Sequence, residues 1–224
     1  VGRAVSMNAD GTIVAVGADY AEETQDKTST GRVTVYKLNE TTEDWVEMGD
    51  SIYGPNANDK AGWSVSLSHD GLKLAVGIPE NDSSTGLVRM YHYSDEGNGQ
   101  WVQMGSDLEG IETSDRFGHA VSLSGDGSTV AIGAAANSSI DDYVRVYTWS
   151  GENSTDGTWE RVGGEYALSL LTTINNDDTG YSVSLNHNGT VIAIGVTGAG
   201  NGAGMSRVYK QNQSDGWDEI GSIN

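Results

Sequence analysis

An all-β fold, a β-propeller-type repeat of four four-stranded antiparallel blades, is what this sequence predicts, and three observations predict it. One strand phrase recurs four times. Each copy is followed by an Asp-Gly or Asn-Gly turn. No stretch shows helical periodicity with caps.

The phrase reads Gly2-Arg3-Ala4-Val5-Ser6-Met7, Gly62-Trp63-Ser64-Val65-Ser66-Leu67, Gly118-His119-Ala120-Val121-Ser122-Leu123 and Gly180-Tyr181-Ser182-Val183-Ser184-Leu185. Small polar and apolar residues alternate with period two, so this is a strand, here strand a. The turns Asp10-Gly11, Asp70-Gly71, Asp126-Gly127 and Asn188-Gly189 follow. Such pairs accept positive φ at both central positions of a type I′ hairpin turn. Strand b returns through Ala15-Val16-Gly17, Ala75-Val76-Gly77, Ala131-Ile132-Gly133 and Ala193-Ile194-Gly195, whose small residues predict close backbone packing near a crowded centre. Strand c carries Tyr36, Tyr91, Tyr147 and Tyr209, and strand d opens at Trp45, Trp101, Trp159 and Trp217 and soon reaches Gly49, Gly105, Gly163 or Gly221. Trp and Tyr suit half-buried strands, where the ring packs and the polar tip reaches water. The repeats divide one domain, 1–224, into 1–61, 62–117, 118–179 and 180–224. Four such blades can close into a small ring or form part of a larger propeller or array.

Composition narrows the function. With 12 basic and 32 acidic residues the formal net charge is −20, which repels nucleic acid and anionic membrane. No apolar run approaches a membrane-spanning length. There is no cysteine, so disulfides, thiol catalysis and thiolate metal sites are excluded.

The segment Arg116-Phe117-Gly118-His119-Ala120-Val121-Ser122-Leu123, followed by Ala131-Ile132-Gly133-Ala134, resembles the FG-GAP repeats of integrin α-chain propellers and of microbial and algal surface proteins. Gly77-Ile78-Pro79 is similar to the GAP element. The other copies depart from the literal FG, reading Val1-Gly2, Ala61-Gly62 and Thr179-Gly180. The resemblance implies extracellular adhesion or assembly. Its calcium loops do not carry over, because the short turns here cannot wrap a cation that takes six to eight oxygens.

Sequons stand at Asn39, Asn81, Asn137, Asn153, Asn188 and Asn212, five of them in the polar b–c and c–d loops and Asn188 at a hairpin turn, so N-glycosylation is expected. Asp59, Asp115, Asp177 and Asp178 lie in the d–a connectors and are candidate oxygen ligands for Ca2+. The competing role for Asp59, Asp115 and Asp177, each three residues before a strand-a glycine, is to close a turn on backbone N–H groups. Trp63 and Trp149 fall outside the repeated aromatic register and are candidate ligand-stacking rings. Arg89, Arg145 and Arg207 recur on strand c as candidate ion-pair partners. The four histidines form no spaced metal motif, and Gly198-Ala199-Gly200-Asn201-Gly202 lacks the lysine and helix of a phosphate cradle. The sequence therefore predicts a non-enzymatic extracellular structural or adhesion module. It would bind protein partners or copies of itself in a cell-surface coat or fibre, with no required cofactor. The alternative is a glycan-binding propeller, calcium-assisted.

Overall fold

The computed structural model describes residues 2–24, 28–135, 142–163, 178–198, 203–213 and 216–223. Asn137 and Asp177 lie outside them. Blade 1 comprises β1 (Ala4–Met7), β2 (Ile13–Ala18), β3 (Arg32–Asn39), β4 (Asp44–Glu47) and β5 (Ile52–Tyr53). Blade 2 comprises β6 (Ser64–Leu67), β7 (Lys73–Ile78), β8 (Leu87–Ser94), β9 (Gln100–Gln103) and β10 (Leu108–Glu109). Blade 3 comprises β11 (Phe117–Leu123), β12 (Thr129–Ala134), β13 (Tyr143–Trp149) and β14 (Trp159–Arg161). Blade 4 comprises β15 (Thr179–Leu185), β16 (Val191–Val196), β17 (Met205–Gln211) and β18 (Trp217–Ile223). Each blade is one antiparallel sheet in chain order. In blades 1 and 2 strand d is broken at its glycine, and both halves pair with strand c. Among the described residues one short helical turn, α1 (Asn81–Ser84), interrupts the β pattern. It is left-handed, with positive φ at Asp82, Ser83 and Ser84.

The a–b turns differ from the type I′ expectation. Only their glycines take positive φ (Gly11, Gly71, Gly127 and Gly189). Gly11 N–H donates to the Asn8 carbonyl at 3.3 Å, a type I turn closed by a left-handed glycine. The residue before each turn explains the choice. Asn8 Oδ1 accepts from the Thr12 and Ile13 amides, both at 2.9 Å, and Asn186 Oδ1 accepts from Thr190 and Val191. Ser68 and Ser124 accept from the corresponding amides of Lys73 and Thr129. The longer loop satisfies amides that a two-residue turn would pair directly.

Three apolar cores lie between successive blades. Val33, Val35 and Met48 of blade 1 pack on Val65, Leu67, Leu74 and Val76 of blade 2. Val88, Met90 and Met104 pack on Phe117, Leu123, Val130 and Ile132. Val144, Val146 and Val162 pack on Ile192 and Ile194. An inner blade thus buries both faces, which is why β12 is buried at every residue. The outer blades bury one. In β2 the burial alternates because Val14 and Val16 have no blade against them, and in β16 Val191, Ala193 and Gly195 are the half-open positions.

Candidate functional site

The same joint is built three times from three parts, and a fourth part is added in the first two joints. The first is a close approach of glycines. A Cβ on Gly17 would stand 2.9 Å from the Gly62 carbonyl carbon, on Gly77 3.1 Å from that of Gly118, and on Gly133 3.0 Å from that of Gly180, nearer still to each oxygen. The second is a serine rung: Ser6, Ser66 and Ser122 Oγ accept from the Leu67, Leu123 and Leu185 amides at 2.9, 3.0 and 3.0 Å. The third runs between hairpin turns, where the Ala9, His69 and Gly125 amides donate to the His69, Gly125 and His187 carbonyls at 3.0, 2.8 and 2.7 Å. The fourth is at the rim, where Trp101 and Trp159 Nε1 donate to the Met48 and Met104 carbonyls at 2.8 and 2.9 Å, whereas Trp217 Nε1 in the third joint is buried without a hydrogen-bond partner among the described residues. The repeat phrase encodes all four, because Gly, Ser, the turn residue and Trp recur in register.

At the two ends each half of this joint stands open. Among the described residues nothing lies within 4 Å of a Cβ on Gly2, and the three atoms nearest a Cβ on Gly195 all belong to Ser182 of its own blade. The Val5 and Met7 side chains occupy the positions that Val65 and Leu67 bury, yet are 68 % and 55 % exposed. Trp45, the counterpart of Trp101, and Ile220, the counterpart of Met48, are likewise exposed. Blade 4 presents Ser184 Oγ and the His187 amide, and blade 1 presents the Met7 amide and the Ala9 carbonyl. These groups match the serine rung and turn bond of an inner joint. The four blades therefore form an open arc. It curves round an axis, since His69 and His187, two blades apart, have ring centroids 4.5 Å apart. Met7, Leu67, Leu123 and Leu185 line one open cleft of about 310 Å³ there.

The residues singled out by sequence are scattered. Asp59 is buried, and its Oδ2 accepts from the Asn56 amide at 2.8 Å and from Asn56 and Asn81 side-chain amides. Asp115 is also buried. Its Oδ2 accepts from the Ile111 and Glu112 amides at 2.7 and 2.9 Å and from the Tyr143 hydroxyl at 2.7 Å. Asp178, with positive φ, accepts from Thr197 Oγ1 at 2.8 Å. Among the described residues no group of three His, Asp or Glu side chains is gathered where a metal ion would sit. The sequon amides of Asn81, Asn153 and Asn212 donate to Asp59, Asp156 and Asp218. Asn39 is exposed and accepts from the Thr41 and Thr42 amides, and Asn188 is an exposed turn residue.

The candidate stacking rings Trp63 and Trp149 each have neighbours within the chain. Both are half-buried: Trp63 lies under the Arg3 guanidinium, and Trp149 packs on Trp159 and donates to the Asn153 carbonyl. Of the strand-c arginines, Arg89 makes a bidentate pair with Asp107, both bonds 2.9 Å. Arg145 instead lies 4.9 Å from the Tyr143 ring and donates to the Glu109 carbonyl.

No protein-family model matches the chain, and no curated protein does. Solved structures do. The chain is similar to the periplasmic gluconolactonase PpgL of Pseudomonas aeruginosa, with TM-score 0.62 and 14 % identity, over 99 % of this chain and 56 % of that one. It is similar to hydrazine synthase of Kuenenia stuttgartiensis, with TM-score 0.57 and 13 % identity, over 98 % of this chain and 61 % of that one. It is similar to Sqt1 of Chaetomium thermophilum, with TM-score 0.54 and 16 % identity, over 92 % and 43 %. The chain thus spans about half the length of the structures it matches. These likenesses show a β-propeller fold and do not extend to the FG-GAP family. They also correct the expectation of a non-enzyme: two of the three are enzymes by name, so this architecture does not settle enzymatic status. No helix among the described residues is long and apolar enough to cross a membrane.

Proposed function

We propose that this chain is an interaction module that associates head to tail with copies of itself, blade 4 of one molecule docking on blade 1 of the next. One observation carries this: the open half-joints at the two ends are the complementary halves of a contact the chain already makes three times. Blade 1 offers the apolar positions Val5, Met7, Val14 and Val16, and blade 4 offers Gly195, Ser184 and Ile220. A head-to-tail contact closes a ring if its rotation permits and otherwise propagates as a fibre. An extracellular coat or fibre is the setting proposed for it, supported by the exposed sequons at Asn39 and Asn188.

Sedimentation equilibrium of residues 1–224 tests this. The expected result is mass rising with concentration in multiples of 23.6 kDa. Val5→Asp, which places a carboxylate on the open apolar face, should return it to monomer without lowering its melting temperature. A chain that stays monomeric at high concentration overturns the reading and leaves other blades or another protein as the occupant of the open ends.

A further inference from the structure

After each strand-a glycine comes a residue the repeat does not keep: Arg3, Trp63, His119 and Tyr181. The fold sets these four side by side as a continuous arc, one from each blade. The Arg3 guanidinium lies 3.7 Å from the Trp63 ring centroid. Trp63 and His119 centroids are 5.6 Å apart, and His119 and Tyr181 4.9 Å. The connectors into strand a add two more cations, Arg116 at 4.8 Å and Lys60 at 5.6 Å from the same indole.

Charge makes this arc unusual for its chain. Acidic residues outnumber basic ones 32 to 12, yet three cations gather round one ring. Glu80 answers two of them, at 3.0 Å from Arg116 and 3.6 Å from Lys60. Asp178, near His119, is held by Thr197. Arg3 is exposed and has no ion pair among the described residues. Two polar atoms in the cluster, Arg116 Nε and His119 Nδ1, are buried without a hydrogen-bond partner. A guanidinium over an indole with no ion pair keeps its N–H fork free for a carboxylate, while the rings beside it offer an apolar wall. Burial, then the Arg116 charge, hold His119 down at a pKa of about 4, so the ring presents a neutral face at physiological pH.

We propose that this arc is a binding site for a carboxylate carried on a flat apolar body, with Arg3 receiving the carboxylate and Trp63, His119 and Tyr181 flanking the ring. The inference does not rest on self-association, and it is tested below the association concentration.

Benzoate is the probe, with acetate and neutral benzamide as controls, followed by indole fluorescence and confirmed by calorimetry. Benzoate should bind at millimolar or lower concentration, acetate and benzamide each about tenfold more weakly, since one well-made charged contact is of that order. Arg3→Gln should weaken benzoate about tenfold and leave benzamide, melting temperature and sedimentation unchanged. Trp63→Leu should weaken benzoate and benzamide alike. Equal binding of benzoate and benzamide, unchanged benzoate affinity in Arg3→Gln, or no benzoate binding would overturn the proposal, and Arg3 would then be packing on Trp63 alone.

Discussion

Gly77→Ala and Gly195→Ala form a matched pair that isolates the joint between blades. The two glycines occupy the same position of strand b, and neither has positive φ, so alanine strains neither backbone. Each added Cβ meets the same intrablade neighbour, Ser64 Oγ for Gly77 and Ser182 Oγ for Gly195, a hydroxyl that can rotate away. They differ across the joint, where Ser64 Oγ also donates to the Gly118 carbonyl at 2.7 Å and turning it breaks that bond. At Gly77 the Cβ would also stand 3.1 Å from the Gly118 carbonyl carbon and closer to its oxygen, whereas at Gly195 the next atoms beyond Ser182 Oγ are at 3.6 and 3.8 Å and belong to Ser182. A backbone carbonyl cannot rotate clear. Blades 2 and 3 must part, which weakens the core round Val88 and Val130 and stretches the Leu123-to-Ser66 bond of 3.0 Å. Overpacking of this kind costs about 3 kcal/mol, against about 1 kcal/mol for turning one serine. For a chain of this size the difference of about 2 kcal/mol lowers the melting temperature by about 4–8 °C more in Gly77→Ala. Denaturant unfolding of dilute protein, with m-values compared, is the assay. Equal destabilisation would refute the claim that this glycine is required by the neighbouring blade. In concentrated solution Gly195→Ala should also lose association, because its Cβ enters the space that a docking Gly2 would fill.

Four further outcomes follow from named side chains. His119 has a folded-state pKa near 4, below its ordinary 6.5, so the unfolded chain binds that proton more tightly. Its contribution is present above pH 6.5 and lost as pH falls toward 4, by about 2 kcal/mol after allowance for partial exposure. His119→Phe should flatten the stability profile in that window, while the loss below pH 4.5 from Glu80, whose pKa is held low by its Ser84, Arg116 and Lys60 partners against burial, should remain. Burial, then the bond to Asp115, raise the Tyr143 phenol, so an absorbance titration should find one tyrosine that ionises only on unfolding. Asp115→Asn should cost about 2–3 kcal/mol in denaturant unfolding by disturbing two turn amides and that hydroxyl. In chain made through a secretory host, site-resolved mass spectrometry should find glycan on the exposed Asn39 and Asn188 and none on Asn81, whose amide is spent on buried Asp59. Full occupancy at Asn81 would show that this bond does not persist.

The strands were legible because each repeat states its period, its turn and its small residues four times over. The glycines of strand b read as close packing, and the structure supplies the neighbour, a carbonyl of the next blade. The arc at Arg3, Trp63, His119 and Tyr181 was hidden for the opposite reason. Its members share a register position but no chemistry, so a repeat comparison reads them as variation, and Trp63 looks out of place among tryptophans when its true equivalents are a cation, an imidazole and a phenol. The ends of the arc were hidden too. Val5-Ser6-Met7 and Val65-Ser66-Leu67 are nearly the same words, and what separates an exposed Val5 from a buried Val65 is whether another blade packs against them in the structure. A repeat encodes its own half of each contact identically in every copy, so its sequence specifies what a neighbour must look like without specifying who supplies it. The open faces of blades 1 and 4 are therefore the place where physical reasoning turns from folding to binding: the surface that completes them has to carry the complementary half of the same glycine, serine and tryptophan joint.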